Sequence, residues 1–292
     1  MKPPSNDYSH ILALCELVPR HYTKSVTVVV AHYNSRILLE RCLAGITQQT
    51  YPVSLIEVVV SDDGSDELLT GVQEMFRGVL EIRIITQPHQ GFRLATVRNR
   101  GLFEASGEVI IFMDCDIIPV PEFVEAHMRW FHASDQVATV GPRKFIDTTG
   151  IDPRSIPQVL TQLRLGPDVA SISNRSEPLD RRLPVFRRFW SCTHPYNWFY
   201  GCNIAVRRAA AIEIGGFDEN FNGAWGYEDI EFGYRLFSVG TFLVAEQRAL
   251  ALHQESGGMS GQQRQRDGEI NRRKLYREIP ELAVYRMTLG LP

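Results

Sequence analysis

Four apolar runs in the first half of the chain each give way, at the carboxyl end, to a polar cluster. Residues 25–30 lead into Ala31-His32-Tyr33-Asn34, and residues 56–60 into Ser61-Asp62-Asp63-Gly64-Ser65. Residues 82–85 lead into Gln87-Pro88-His89-Gln90-Gly91-Phe92-Arg93, and residues 109–113 into Asp114-Cys115-Asp116. Helical spacing separates the runs. Leu38, Leu39, Cys42, Leu43 and Ile46 follow the first, and Leu68, Val72, Met75 and Phe76 the second. Further helices are predicted over 93–105 and 122–131. Alternating strands and helices build a parallel sheet, which binds ligands in the crevice beyond the carboxyl ends of its strands. The expected fold is α/β, with a Rossmann-like, mostly parallel central sheet flanked by helices. All four polar clusters then converge on one cleft.

The bulk numbers exclude several other classes. With 292 residues, 44% of them hydrophobic, the chain is long enough for a substantial core. A net charge of −3 provides no field to recruit nucleic acid, and membrane contact is expected to be peripheral at most. Five scattered cysteines without a C-x-x-C predict free thiols in a reducing compartment. No apolar run approaches the roughly 20 residues of a membrane span. Residues 1–7 lack the charged lead-in of a signal peptide. A cytoplasmic location, at most peripheral to the inner face of the membrane, is the expectation.

Along the chain, residues 1–24 read as a polar tail with a short apolar helix near 11–17. Residues 25–140 form the β/α half. Periodicity fades between 143 and 188, with prolines at 153, 157, 167, 178 and 184, so 141–200 reads as a mobile insert and acceptor loop. Regular structure is expected again over 201–260: strands at 203–206, 242–245 and 249–252, and helices at 208–214 and 228–239. Residues 261–292 carry an arginine-rich helix at 262–277. There is no internal repeat or low-complexity tract.

Asp114 and Asp116, in a turn leaving a buried strand, have the spacing to share a hard divalent cation while leaving positions for phosphate oxygens. Their place at the end of the fourth strand sets them apart from a solvated loop. Asp62-Asp63-Gly64-Ser65 is either a turn with a helix cap or a carboxylate site for a base N–H. Tyr33 either stacks on that base or packs at the sheet edge. The first strand-to-helix turn lacks a glycine fingerprint, and no Walker loop exists, so phosphates are left to a metal at Asp114/Asp116 with Arg93 or Arg98. Trp225-Gly226-Tyr227-Glu228-Asp229 opens a helix whose dipole favours ionised carboxylates, which suits a proton acceptor. Glu231 and Arg235 read as a structural i,i+4 pair on the outer face. His253, just past a strand, is either structural or a neutral ligand for an aspartate-based metal site.

In their order, these parts resemble a family 2 type glycosyltransferase with the GT-A fold. The second half is similar to the transferase modules of bacterial chondroitin polymerases and to β-1,4-galactosyltransferases. It matches them through Gly201-Cys202-Asn203, Gly215-Gly216-Phe217-Asp218-Glu219, the stretch from Trp225 to Arg235, and His253-Gln254-Glu255. The resemblance covers roughly residues 25–257. It implies a UDP-sugar donor, a hydroxyl acceptor that is a carbohydrate or another class of molecule, and Mn²⁺ or Mg²⁺. Asp63 would bind uracil, with Tyr33 flanking it. Arg98 would hold the nucleotide, and Asp114 the ribose or the metal. Ala31, Gly91, Arg93, Cys115, Gly201 and Trp225 would complete the donor site. Asp116 and His253 would ligate the metal directly, Glu228 would hold sugar hydroxyls, and Asp229 would be the catalytic base.

Two departures matter. Tyr227 stands where the related modules have glycine, narrowing the acceptor side. Cys202 replaces a second glycine, adding bulk near the donor sugar. His194, Tyr196, Trp198 and Phe199 either shape the acceptor site or are ordinary core. A retaining GalNAc-type transferase would have Asp-x-His and Glu-Asn where this chain has Asp116 and Asp229. A non-catalytic nucleotide-sugar module would not need the full carboxylate set. A nucleotidyltransferase would need a glycine-rich basic loop that His32-Tyr33-Asn34-Ser35 is not.

Overall fold

Strand β1 (Val26–His32) sits inside a seven-stranded sheet because it is apolar on both faces, as a strand covered by helices on each side must be. The computed structural model describes residues 5–18, 21–165, 180–254 and 260–291. Helix α1 (Ser9–Leu17) precedes β1 and packs on a later helix, α5 (Phe123–Ala133). From β1 the chain alternates through α2 (Arg36–Ile46), β2 (Ile56–Asp62), α3 (Val72–Met75), β3 (Glu81–Thr86), α4 (Leu94–Glu104) and β4 (Val109–Asp114). Strands β3, β2, β1 and β4 lie side by side and parallel. Val28, Val29, Val30, Val58, Val59 and Val60 are shut from solvent within them.

The register decides where the polar ends fall. Ala31 lies opposite Ser61 on one side and Asp114 on the other, and His32 lies opposite Asp62. The clusters therefore meet at one edge of the sheet, as the sequence pattern requires.

After β4 come β5 (Ile117–Pro119), α5 (Phe123–Ala133), β6 (Val137–Val140), β7 (Arg143–Ile146), α6 (Ile156–Leu165) and α7 (Leu183–Phe186). Then follow β8 (Asn203–Arg207), α8 (Arg208–Glu213), α9 (Glu228–Ser238), β9 (Phe242–Ala245), β10 (Ala251–Gln254), α10 (Gly261–Glu278) and α11 (Pro280–Thr288). The large sheet runs β3-β2-β1-β4-β8-β6-β9, with β8 antiparallel to both neighbours. A second sheet, β5-β10-β7, pairs β10 antiparallel to β5 and parallel to β7. His127 on α5 fastens the two halves: its buried ring bonds Thr139 Oγ1 on β6 at 2.6 Å and Asn203 Oδ1 on β8 at 2.9 Å.

The structure departs from the sequence expectations at several elements. The crossover after β2 makes a single helical turn, with Leu68 and Met75 exposed, because of the four residues expected to pack only Val72 and Phe76 are buried. The stretch that loses periodicity holds β7 and α6, since β7 is too short to show a pattern before it pairs with distant β10. Pro167, Pro178 and Glu255 lie outside the described residues. The Glu231–Arg235 pair is not on an outer face. Glu231 is buried, and Arg235 also donates to the Ile214 carbonyl. Helix α11 was not foreseen. Among the described residues, no helix is long and apolar enough to cross a membrane.

Candidate active site

At the end of β2, the two aspartates have different partners. Asp62 accepts from His32 Nδ1 at 2.9 Å and from the Ser65 hydroxyl at 2.5 Å. Burial opposes its charge, but these bonds outweigh it and hold the carboxyl below its ordinary range. Asp63 turns the other way. Its Oδ1 accepts from Gln87 Nε2 and, at 2.9 Å, from Arg93 Nη2, and His89 Nδ1 lies 3.3 Å from Oδ2. Arg93, expected at the phosphates, is thus committed to Asp63, the residue expected at the base. Gly64 is obligatory here: its φ is +74°, and a Cβ would meet the Gln87 carbonyl and the His89 amide at 2.5 Å. Tyr33 stacks on the His89 ring at 4.2 Å and stays 41% exposed. Gly91, with φ +76°, borders open space.

Arg98 ties the strand ends to the second half of the chain. It projects from α4, is 2% exposed, and donates to Asp114 Oδ1 at 2.9 Å and to Glu228 Oε1 at 2.8 Å. Burial disfavours its charge, yet Asp114, Glu228 and Asp229 together raise its proton affinity above that of a free arginine. Gly201 leaves room for it, since a Cβ there would lie 2.7 Å from Nη1. The Gly201 amide donates to Asp229 Oδ2 and the Ile230 amide to Oδ1, each at 2.8 Å, so backbone groups orient the Asp229 carboxylate.

The helix start does not make Asp229 a stronger acid, as its dipole alone would. Burial outweighs Arg98 and the two amides and pushes the carboxyl up. Glu228 is pushed up to about 7 by burial, with the Asp229 charge adding to it. Tyr227, just before, adopts a left-handed φ of +76°, which costs a bulky residue roughly 1–2 kcal/mol. Its ring lies 5.4 Å from the Arg286 guanidinium, and Arg286 donates to Asn197 Oδ1 at 2.6 Å. Helix α11 therefore reaches the site through Tyr227. Trp225 is 40% exposed, with the Arg264 guanidinium 5.7 Å above its ring. Tyr196, Trp198 and Phe199 are buried and belong to the core, and His194 stacks on Tyr285.

Asp116 and His253 are brought together by β5–β10 pairing. His253 lies opposite Ile117, and the Gln254 amide donates to the Asp116 carbonyl at 2.8 Å. His253 Nε2 is 3.6 Å from Asp116 Oδ2. Asp116 Oδ1 is shut from solvent without a hydrogen-bond donor, and burial, with help from Asp114, pushes this carboxyl up to about 7. Burial and then the Arg143 charge lower His253 to about 4, keeping its ring a neutral lone-pair donor. A buried carboxylate oxygen with no partner beside a neutral imidazole fits a divalent cation. Among the described residues, no group of three or more His, Cys, Asp or Glu side chains surrounds one point, so the pair would leave most positions of such an ion to other ligands. Ala31 accepts from the Cys115 amide at 3.1 Å, and the Cys115 thiol is pushed up by burial, so it contributes backbone rather than a thiolate.

Arg143 and Arg264 belong to this neighbourhood and were missed from the sequence. No motif marks them; Arg143 arrives through the pairing of β7 with β10, about a hundred residues apart.

Residues 27–215 match the Glycosyl transferase family 2 pattern. The chain is 34% identical over 251 residues to a hyaluronan synthase of Pasteurella multocida, covering 82% of this chain and 25% of that protein. It is 32% identical over 242 residues to a chondroitin synthase of Escherichia coli, covering 80% and 35%. It is 35% identical over 225 residues to a validoxylamine A glucosyltransferase of Streptomyces hygroscopicus subsp. jinggangensis, covering 74% and 52%. The chain thus spans between a quarter and about half the length of these relatives. In fold it is similar to S. aureus TarS 1-349 in complex with UDP-GlcNAc, with TM-score 0.61, 18% identity, and 80% and 60% of the two chains covered. It is likewise similar to the mannosyltransferase PcManGT from Pyrobaculum calidifontis in complex with GDP-Man and Mn²⁺, with TM-score 0.56, 19% identity, and 88% and 66% covered. From the sheet order, the matched pattern and these relatives, the chain belongs to glycosyl transferase family 2 and has the GT-A fold.

Proposed function

We propose that the chain is a metal-dependent, inverting glycosyltransferase that moves a hexose or N-acetylhexosamine from a UDP-sugar to a hydroxyl acceptor. The observation that carries this reading is the Arg98 bridge between Asp114, at the end of β4, and Glu228, next to Asp229. A strand end suited to a nucleotide is thereby linked to a carboxylate suited to take a proton. In this reading residues 25–140 bind the donor, the described residues of 201–260 supply the base, and the described residues of 141–200 with α11 line the acceptor side. Tyr33 and Asp63 flank the uracil, and Arg98 fixes Asp114 toward the ribose. Asp116 and His253 would hold Mn²⁺ or Mg²⁺, which would neutralise charge gathering on the departing diphosphate.

Asp229, its oxygens aimed by two amides, takes the proton from the attacking hydroxyl. The raised proton affinity given by burial brings it nearer the working pH. Displacement through an oxocarbenium-like state then inverts the anomeric carbon in one step. Glu228, paired with Arg98, would hold sugar hydroxyls. The five unpaired cysteines fit a reducing, cytoplasmic setting.

The reading is tested by offering UDP-hexoses and UDP-N-acetylhexosamines with and without Mn²⁺ and following UDP release. Release from at least one donor, dependent on the cation, is expected. No binding and no turnover of any UDP-sugar would overturn it.

A further inference from the structure

Arg143 is a half-buried cation held in place by neutral groups. Its guanidinium lies 5.3 Å from the Phe145 ring and 5.6 Å from the Tyr200 ring, and Nη1 is 3.8 Å from Cys202 Sγ. Among the described residues, no carboxylate lies within ion-pair distance of it. Asp180, which accepts from its backbone amide, is occupied by the Arg182 guanidinium. Two aromatic faces hold a flat guanidinium in a fixed plane at little entropic cost, but they do not neutralise it.

The two ring contacts locate Arg143. On one side Phe145 packs on His253, ring centroids 4.7 Å apart, and His253 faces Asp116. On the other side Tyr200 precedes Gly201, whose amide holds Asp229. Arg143 therefore stands between the candidate metal pair and the candidate base. In a transferase this is the span from the diphosphate to the sugar. Its charge is felt at both Asp116 and His253. A half-buried guanidinium without an ion-paired carboxylate of its own is available to an anion.

We infer that Arg143 binds an anionic oxygen of the donor, either on the diphosphate or on a carboxylate carried by the sugar, and so helps set which donors the site accepts. The inference rests on the nucleotide-sugar reading above. The guanidinium fork suits two oxygens of a phosphate or carboxylate, and the rings on its flanks keep it aimed when the site is empty. Cys202, in contact with it, limits the space beside it.

Calorimetric titration of UMP, UDP, UDP-glucose and UDP-glucuronate into the wild type, R143Q and R143M tests this. The Met stem keeps the packing between the rings, so a neutral folded variant is obtained if R143Q is not. Unfolding midpoints without nucleotide establish that each variant is folded. A charge-assisted hydrogen bond of about 1.5–3 kcal/mol corresponds to roughly 10- to 150-fold in affinity. If the anion is the diphosphate, UDP and both UDP-sugars weaken by that factor, and UMP weakens less. If it is a sugar carboxylate, only UDP-glucuronate weakens. Wild-type affinity for all four ligands in a folded neutral variant overturns the inference and leaves the donor reading standing. If wild-type protein binds none of the four, the donor reading falls and this inference with it.

Discussion

The Arg98 guanidinium and the Glu228 carboxylate, 130 positions apart in sequence, meet at 2.8 Å where almost no solvent reaches. Arg98 also bonds Asp114, but among the described residues it is the only ion-pair partner of Glu228, and a buried charge without a partner costs several kcal/mol. The contact therefore makes the two halves of the chain depend on each other.

The first prediction follows from that dependence. Arg98→Met leaves Glu228 buried without its partner and should destabilise the protein by about 3–5 kcal/mol, read from urea unfolding. Adding Glu228→Gln removes the stranded charge, so the double variant should recover part of the loss. Strictly additive losses would show that the two side chains do not act as a pair.

The second concerns acid. Burial lowers His127 to about 4 from an ordinary 6.5, although the hydrogen bond to Asn203 pulls the other way. The folded state thus binds its proton less readily than the unfolded state. The stability this site contributes is complete above pH 6.5 and is lost as pH falls toward 4, by about 3 kcal/mol at the lower end. His127→Gln should flatten the stability profile between those pH values. An unchanged slope would place the acid sensitivity elsewhere.

Much of this was legible because parallel strands place their polar ends together. The runs leading into Ala31, Ser61 and Asp114 could be aligned from sequence, and their registers follow that alignment. Contacts made by distant pairing were not legible. Nothing near Arg143 announces that β7 will lie beside β10, and nothing near Arg93 shows that Asp63 will claim it. Ion pairing among site residues depends on side-chain reach across the cleft, which spacing along the chain does not encode. Helix α11 escaped because its apolar residues do not mark one face: Leu282 is buried, while Val284 and Met287 are exposed.

The third prediction tests the cation. Asp116→Asn keeps the size of the side chain but removes a charge whose Oδ1 has no donor nearby. Without metal it should be as stable as wild type or more so, since a buried, unpartnered carboxylate is lost. Stabilisation of the wild type by Mn²⁺, read as a rise in unfolding temperature with cation concentration, should disappear in the variant. His253→Ala should reduce the same response. An Mn²⁺ response that survives both substitutions would place the cation at other residues.

The fourth prediction concerns Asp229, the most exacting test of the chemistry. Both of its oxygens accept backbone N–H groups, from Gly201 and Ile230, so the carboxylate is fixed before any substrate arrives. Asp229→Asn retains one of these bonds and turns an amide NH₂ toward the other donor, which should cost about 1–2 kcal/mol of stability without unfolding the chain. UDP binding should persist, because the proposed nucleotide site is at the strand ends. Transfer should fall by about 10²- to 10⁴-fold, the range for losing a positioned general base. The wild-type product from an α-linked donor should carry a β linkage, since one displacement reverses the anomeric centre. An α-linked product by NMR, or undiminished turnover in Asp229→Asn, would transfer the proton-accepting role away from Asp229 and remove the case for inversion. Slow transfer with intact donor binding would instead show that the two amides at Gly201 and Ile230 aim a base.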